Sequence, residues 1–403
     1  MKKVLTFAGV FGILGVFGVL RAQSNFSLDW HGFVNPHYYA DSRAVVGGRE
    51  DMMLFYPKPI LLDSLGNDIN DGWQADMLAI TARLNLRITG PDMLGAKTSA
   101  YVEGDFTGST NATIDNLRLR HAYIDMNWEH HRLLAGQYWY AMVVHEIMPM
   151  TNPLNMGAPF HCYARQPQVR YEYHLKGFEA VTVAQWQLDN MSQGLLNGVP
   201  TSSTQFARHS LVPELNAQLR YRKGGLFVGA AVNAKTIQPV VNTMGMAADG
   251  TLHTSLSYSV FGSLKFGGIT LKVQTLLNNS LYEGCSMGGY IIYTSVTGDD
   301  VMFRDWTFNT VWLDVERNCG HWRPGLFVGY AQKQDEGPVL AIYSTTAVLG
   351  RGYDMSYLWR VQPRLTYLTG TGLSFTGEVE YTCAGYDIPV GNLRLSLSMV
   401  YSF

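Results

Sequence analysis

The chain has 403 residues, of which 47% are hydrophobic and 12% aromatic, but only 15% are charged, where a soluble protein carries about a quarter. Its 30 basic and 32 acidic residues show no basic tail or patch, which excludes nucleic acid as a partner. Four scattered cysteines, Cys162, Cys285, Cys319 and Cys383, are too few for a disulfide scaffold or a zinc site.

Lys2 and Lys3 precede an apolar run over residues 4–20, and Ala22 offers a small residue at a cleavage point. This order predicts a secretory signal peptide over residues 1–22, leaving 23–403 as one domain. Removing Lys2, Lys3 and Arg21 from the 30 basic residues leaves 27 against 32 acidic ones, a balance near −5. Beyond the signal, no stretch approaches the roughly 18 apolar residues of a membrane helix.

What recurs instead is alternation. Over residues 78–89, Leu78, Ile80, Ala82, Leu84, Leu86 and Ile88 alternate with positions that include Arg83 and Arg87. Residues 98–107 set Ala100, Val102 and Phe106 against Tyr101, Glu103 and Asp105. Val169, Tyr171 and Tyr173 alternate with Arg170 and Glu172, and Leu215, Ala217 and Leu219 with Glu214, Arg220 and Arg222. Trp359, Val361 and Leu365 face away from Arg360 and Arg364, and Phe375, Val379 and Tyr381 from Glu378 and Glu380. The last segment, 392–403, sets Leu393, Leu395, Leu397, Met399, Tyr401 and Phe403 against Arg394 and three serines. An unpaired arginine is costly in an apolar core but not in a water-filled lumen. Segments of ten to twelve residues with aromatic ends match tilted membrane strands.

Short connections near residues 90–96, 128–132, 176–178, 223–225, 266–269, 317–322 and 368–372 alternate with long ones. The long ones lie near 44–72, 143–167, 188–210, 238–254, 283–305 and 332–354. Together these predict an all-β fold, a transmembrane antiparallel β-barrel of about 16 strands, with no separate plug domain. Eighteen strands stay open, because stretches near Phe26, Leu117, Phe178 and Trp306 change phase or are polar on both faces.

On this lattice the expected pore lining is Arg83, Arg87, Glu103, Asp105, Arg170, Glu172, Arg220, Arg222, Arg360, Arg364, Glu378, Glu380 and Arg394. Lys235, Lys265 and Lys272 are further additions. Arginine rows with a minority of carboxylates favour anions modestly; solvated wall residues without selectivity are the alternative. The connection 143–167 is rich in Met, Pro and His, and would be poorly placed in open water. It is expected to fold inward as a constriction, with His145, Glu146, Met150, Phe160 and Arg165 as its polar and bulky members; packing over the mouth or against a neighbour is the alternative.

Gly284-Cys285-Ser286-Met287-Gly288 matches the nucleophile elbow of hydrolases, which needs a strand, a turn and a helix. No helix is predicted there, so no catalytic residue is expected. An outer-membrane lipase or esterase using Ser286 stands as the enzymatic alternative, and a non-conducting structural barrel of an envelope complex as another. His145-Glu146 lacks the second histidine of a zinc-protease helix, and no metal or cofactor is implied. Export permits oxidation, so Cys162 and Cys285, both in expected loops, could pair.

Residues 115–142, DNLRLRHAYIDMNWEHHRLLAGQYWYAM, resemble the DcaP-like and related porin families of Gram-negative outer membranes. That resemblance implies a homotrimeric, sixteen-stranded diffusion channel in outer-membrane lipid, with an inward loop after the GQYW strand. It also makes Arg118 and Arg120 candidate pore-lining residues and Phe403 the recognition end for barrel insertion. The lattice itself is split there, since Leu117 and Leu119 lie on one parity and Ala122, Ile124 and Met126 on the other; a bulge would reconcile them. The expected function is passive passage of small hydrophilic solutes, leaning to anions.

Overall fold

The computed structural model describes residues 26–403 except 153–155, 243–249, 298–299 and 335–341. The expected signal peptide, residues 1–22, lies outside the described residues. The chain folds into a closed antiparallel barrel of 16 strands. Closure is made by the final strand, Val390–Ser402, which pairs with Leu373–Ala384 on one side and with the first strand on the other, His37 facing Ser398.

The alternation holds in three dimensions, and it is inverted relative to a soluble protein. Along the final strand Asn392, Arg394, Ser396 and Ser398 are buried, while Leu395, Leu397 and Met399 are 42%, 62% and 41% exposed. Leu215 and Leu219 are likewise exposed, between buried Glu214, Asn216, Gln218 and Arg220. An apolar exterior around a polar interior is the surface that a bilayer, not water, satisfies. No helix among the described residues is long and apolar enough to cross a membrane.

Two of the 16 strands are each interrupted, so the main sheet is made of 18 strand segments. The first runs as Ser27–Val34 and His37–Arg43, broken at Asn35-Pro36. The second runs as Asp71–Leu78 and Arg83–Thr89, broken by a turn in which the Ala82 amide donates to the Ala79 carbonyl. Proline lacks the N–H that a ladder needs, and the turn changes phase opposite it. One expectation is thereby corrected: Leu78 and Ile80 do not share the exterior with Leu84 but pack into the interior cluster. At Arg118–Asn127 the register shifts opposite Glu103 and Gly104, skipping Arg120. This bulge puts Arg118, Arg120 and His121 all on the inner side, with Leu119 and Ile124 outside.

The seven short connections named above gather at one end, with both ends of the barrel chain, and the long ones lie at the other together with the brief turn 385–389. Two small sheets are built from the long connections. One joins Gln193–Leu196, Val199–Ser202 and Val240–Val241; the other joins Gly288–Ser295, Val301–Trp306 and Tyr343–Arg351. They share a buried cluster that includes Leu195, Phe206, Ile237, Tyr290 and Ile292. The larger apolar core sits inside the barrel and is made by segments of the barrel's own connections.

Candidate functional site at the loop end of the barrel

Two connections enter the interior. The first leaves the strand His131–Trp139 through short 3-10 turns, Ala141–Val143 and His145–Ile147, and returns at Arg165. Met142, Val143, Ile147, Phe160 and Cys162 are fully buried, so its apolar composition is met by packing against the inner wall. Its polar backbone is met by side chains from all round that wall. Lys272 Nζ donates to Met148 O at 2.7 Å, the Met150 amide to Asp314 at 3.1 Å and the Asn152 amide to Glu378 at 3.0 Å. Arg360 Nη1 donates to Ala158 O at 2.7 Å. Phe160 lies against Gly329, where a β-carbon would stand 2.7 Å from its ring. Pro153 lies outside the described residues.

The second inward segment is a hairpin of Val45–Gly48 and Met53–Pro57, whose Met52, Leu54 and Phe55 are buried. Arg394 donates to Met52 O at 3.0 Å and Asp51 O at 2.7 Å, and Arg360 to Leu54 O at 3.2 Å and Phe55 O at 3.0 Å. These guanidinium groups fasten the hairpin to the wall, and Asp41 and Glu380 balance their charge at 2.6 and 2.9 Å. A buried cation with its partner and its donors satisfied is stable, whereas removing either half leaves an orphan.

Between these segments, at the loop end, lies a cavity of about 330 Å³. Arg49, Arg118, Arg165 and Arg351 line it, and among its described lining residues Asp189 is the sole carboxylate. Arg165 is held in place by stacking, its guanidinium carbon 4.1 Å from the Trp139 ring centre and 5.1 Å from that of Tyr163. Arg351 stacks 4.1 Å over Phe55 and donates to the carbonyls of Tyr282 and Ser286 at 2.8 and 3.0 Å. Arg118 is bidentate to Asp105, both bonds 3.1 Å. Arg49 sits at φ 61 in the hairpin turn. Burial lowers its affinity for a proton, and neighbouring Arg118 lowers it further. The field is legible on the loop residue Tyr163: burial alone would raise its phenol, but Arg120, Arg165 and Arg83 overcome this and bring it down to about 7.

The sequence-predicted residues divide into groups. Arg83, Glu103, Asp105, Arg118 and Arg120 form one network, with Arg120 at 2.5 Å from both carboxylates and Arg83 at 3.6 Å from Glu103. Arg170 and Glu172 pair at 2.5 Å, and Arg220 and Arg222 reach Glu146 of the inward segment at 3.0 and 3.5 Å. Arg364 is buried on Asp314 at 2.7 Å, while Glu378 accepts from Gln362 at 2.7 Å. Arg87 is exposed, 5.5 Å over the Tyr101 ring. His145 stacks on Trp139 at 6.0 Å, and Met150 is 49% exposed. Lys235 is consumed by Glu283 at 2.7 Å, and Lys265 is exposed. Arg118 and Arg165 reach the cavity; Arg49 and Arg351 were not on the predicted set. The run Met52-Met53-Leu54-Phe55-Tyr56, as apolar as the Met- and Pro-rich loop, was the signal that would have found the hairpin and with it Arg49.

Ser286 is fully buried; its Oγ donates to Pro159 O at 2.8 Å and accepts from Asn279 Nδ2 at 2.6 Å. A strand, Gly288–Ser295, and not a helix follows it. The hydroxyl therefore fastens the inward segment and lacks the exposed turn of an elbow.

No protein-family model and no curated protein matches the chain. Solved structures do. The outer-membrane channel DcaP of Acinetobacter baumannii is 19% identical, with a TM-score of 0.67 over 95% of this chain and 99% of that one. An anion-selective porin from Comamonas acidovorans is 11% identical, TM-score 0.56, covering 94% and 100%. A trimer form of OmpT from Vibrio cholerae is 10% identical, TM-score 0.54, covering 94% and 100%. The likeness spans the whole barrel, so this chain has the fold of outer-membrane porins.

Proposed function

We propose that the chain is a passive outer-membrane channel for small hydrophilic solutes, leaning to anions and narrowed by residues 143–167. The observation that carries the lean is the convergence of Arg49, Arg118, Arg165 and Arg351 on one cavity that holds Asp189 as its carboxylate among the described lining residues. Donors held in place by stacking and by backbone bonds attract an anion without reorganising, and the cavity stands where solutes enter from the loop end. The inward segment 143–167 and the hairpin 45–57, both bound by Arg360, narrow the passage together, so size exclusion and electrostatic attraction act at one level. The porin from Comamonas acidovorans shows that a barrel of this fold accommodates anion selectivity. The apolar exterior suits outer-membrane lipid, and assembly as a homotrimer is part of the same proposal, in line with the trimer form of the Vibrio cholerae protein.

Planar-bilayer recording tests this reading. Stable conductance with a reversal potential on the anion side of a salt gradient is expected. Absence of stable conductance would remove the channel, and a cation-side potential would remove the anion preference.

A further inference from the structure

Cys162 and Cys285, both free thiols, lie near one another at the arginine cavity. Cys162 is fully buried in the returning half of the inward segment 143–167. Cys285 lines the cavity, at the end of the short turn Tyr282–Gly284. The two stretches touch through one backbone bond: the Tyr163 amide donates to Gly284 O at 2.7 Å. Cys162 therefore stands one residue before the donor, and Cys285, the left-handed cap of the 3-10 turn, one residue after the acceptor; a disulfide needs their α-carbons about 4.4–6.8 Å apart. A β-carbon placed on Gly284 would lie 3.6 Å from Cys162 Sγ, so this sulfur points at the 284–285 stretch. Asn190 Nδ2 reaches Cys285 Sγ at 3.9 Å and Glu283 O at 2.9 Å, which holds the cavity-side thiol in place. The other two cysteines are elsewhere: Cys319 is exposed in a short connection, and Cys383 lies on a wall strand.

We infer that Cys162 and Cys285 form a disulfide site that staples the inward segment to residues 281–286 at the floor of the cavity. An exported chain meets disulfide-bearing oxidants, as small molecules or on proteins. Such an oxidant reaches Cys285 from the cavity. The Cys285 thiolate attacks it, forms a mixed disulfide and expels one thiol. The Cys162 thiol then gives up its proton and attacks Cys285 Sγ, expelling the second thiol. Two cysteine thiols are oxidised, and the oxidant disulfide is reduced to two thiols, which carry the two protons. Burial pushes the Cys162 thiol well up, with Cys285 and Glu283 adding to it, so Cys162 suits the second step and not the first. Ser286, through Pro159 O, and the Tyr163 amide, through Gly284 O, already draw the two stretches together. The bond would make this contact between the inward segment and residues 281–286 covalent.

The test uses full-length protein extracted from membranes without reductant, unfolded in an alkylating reagent at acidic pH and then digested. One linked peptide pair containing Cys162 and Cys285 is expected, with Cys319 and Cys383 alkylated. Alkylation of both Cys162 and Cys285, or linkage of either to Cys319 or Cys383, overturns the proposal. A second measurement asks whether the bond constrains the segment. Reductant should lower the unfolding midpoint of the wild type to that of Cys285→Ala, and leave Cys285→Ala unmoved. An equal response in both overturns the stapling role. Neither measurement depends on conductance, so failure of the channel reading is separately visible.

Discussion

The wall formed by Tyr357–Leu368 and Val390–Ser402 differs in kind from the cavity at the loop end, although both are rich in arginine. On the wall, Arg360 and Arg394 are at most 1% exposed and give their donors to the backbone of inward segments. At the cavity, Arg49 and Arg351 come from loops, Arg165 is held by ring stacking, and four guanidinium groups share one lining carboxylate. The first set has its charge and its donors satisfied by protein; in the second, Arg118 is paired with Asp105, while Arg49, Arg165 and Arg351 make no ion pair among the described residues, so charge is left over. The electrostatic character of such an interior therefore follows from the arginines that packing leaves unsatisfied, and not from the number on the inner parity.

The largest effect is expected from breaking the wall set. Arg394→Ala strands Asp41 and the carbonyls of Asp51 and Met52, and removing one member of a buried pair costs about 3–5 kcal/mol. Urea unfolding of the detergent-solubilised barrel should show that loss, and the released hairpin should raise single-channel conductance. Arg49→Ala, half-buried in the turn of the same hairpin and without an ion pair among the described residues, should cost less, about 1 kcal/mol or under. Equal destabilisation by the two would erase the distinction.

Next comes the seat of the inward segment. Gly329→Ala forces a β-carbon to 2.7 Å from the Phe160 ring, so the ring must shift. Overpacking of this kind costs about 1–3 kcal/mol. The expected signature is a lower unfolding midpoint together with a larger or noisier conductance. Unchanged recordings would show that Phe160 is not what holds the passage narrow.

Charge reversal at the cavity should alter selectivity with little effect on folding. Arg49→Glu replaces one guanidinium with a carboxylate beside Arg118 and Asp189. The reversal potential should move toward cations, more at low salt than at high, since screening weakens the field. A shift of the same size from Arg87→Glu, at an exposed position outside the cavity, would mean that general wall charge governs selectivity.

How far this comparison was legible in the sequence depends on the range of the interactions. Alternation of period two is local, and it is enough to set Arg170, Arg220, Arg360 and Arg394, all buried, on the opposite parity from their exposed apolar neighbours. The split parity around Leu117 and Ala122 was a true signal of the bulge at Arg120. Proline at position 36 explains one broken strand, but the turn at 79–82 was hidden because Leu78, Ile80 and Ala82 continue the apolar beat of Leu84. Which arginine is satisfied was not legible. Arg360 meets Leu54, some 306 positions away, and Arg394 meets Met52, 342 away. No local pattern encodes such pairings. The hairpin that makes them was overlooked because its apolar run is only five residues and carries no proline stiffening before Pro57.

The smallest effect is the most specific to the cavity. Tyr163 lies in the field of Arg120, Arg165 and Arg83, which together outweigh burial and hold its phenol near 7 instead of the usual 10. Above pH 7 the phenolate therefore cancels one positive charge at the cavity, and below it the phenol is neutral. As pH falls through about 7, the cavity gains one net positive charge, and anion preference should rise modestly. The stability term has the opposite sense. An acid whose folded pKa is depressed stabilises the fold fully above its unfolded value near 10, and that contribution is lost as pH falls toward 7. Tyr163→Phe should flatten both profiles, keeping the selectivity of the wild type at low pH across the whole range. Persistence of the selectivity step in Tyr163→Phe would assign it to another group, and would show that the arginine field is weaker than the geometry implies.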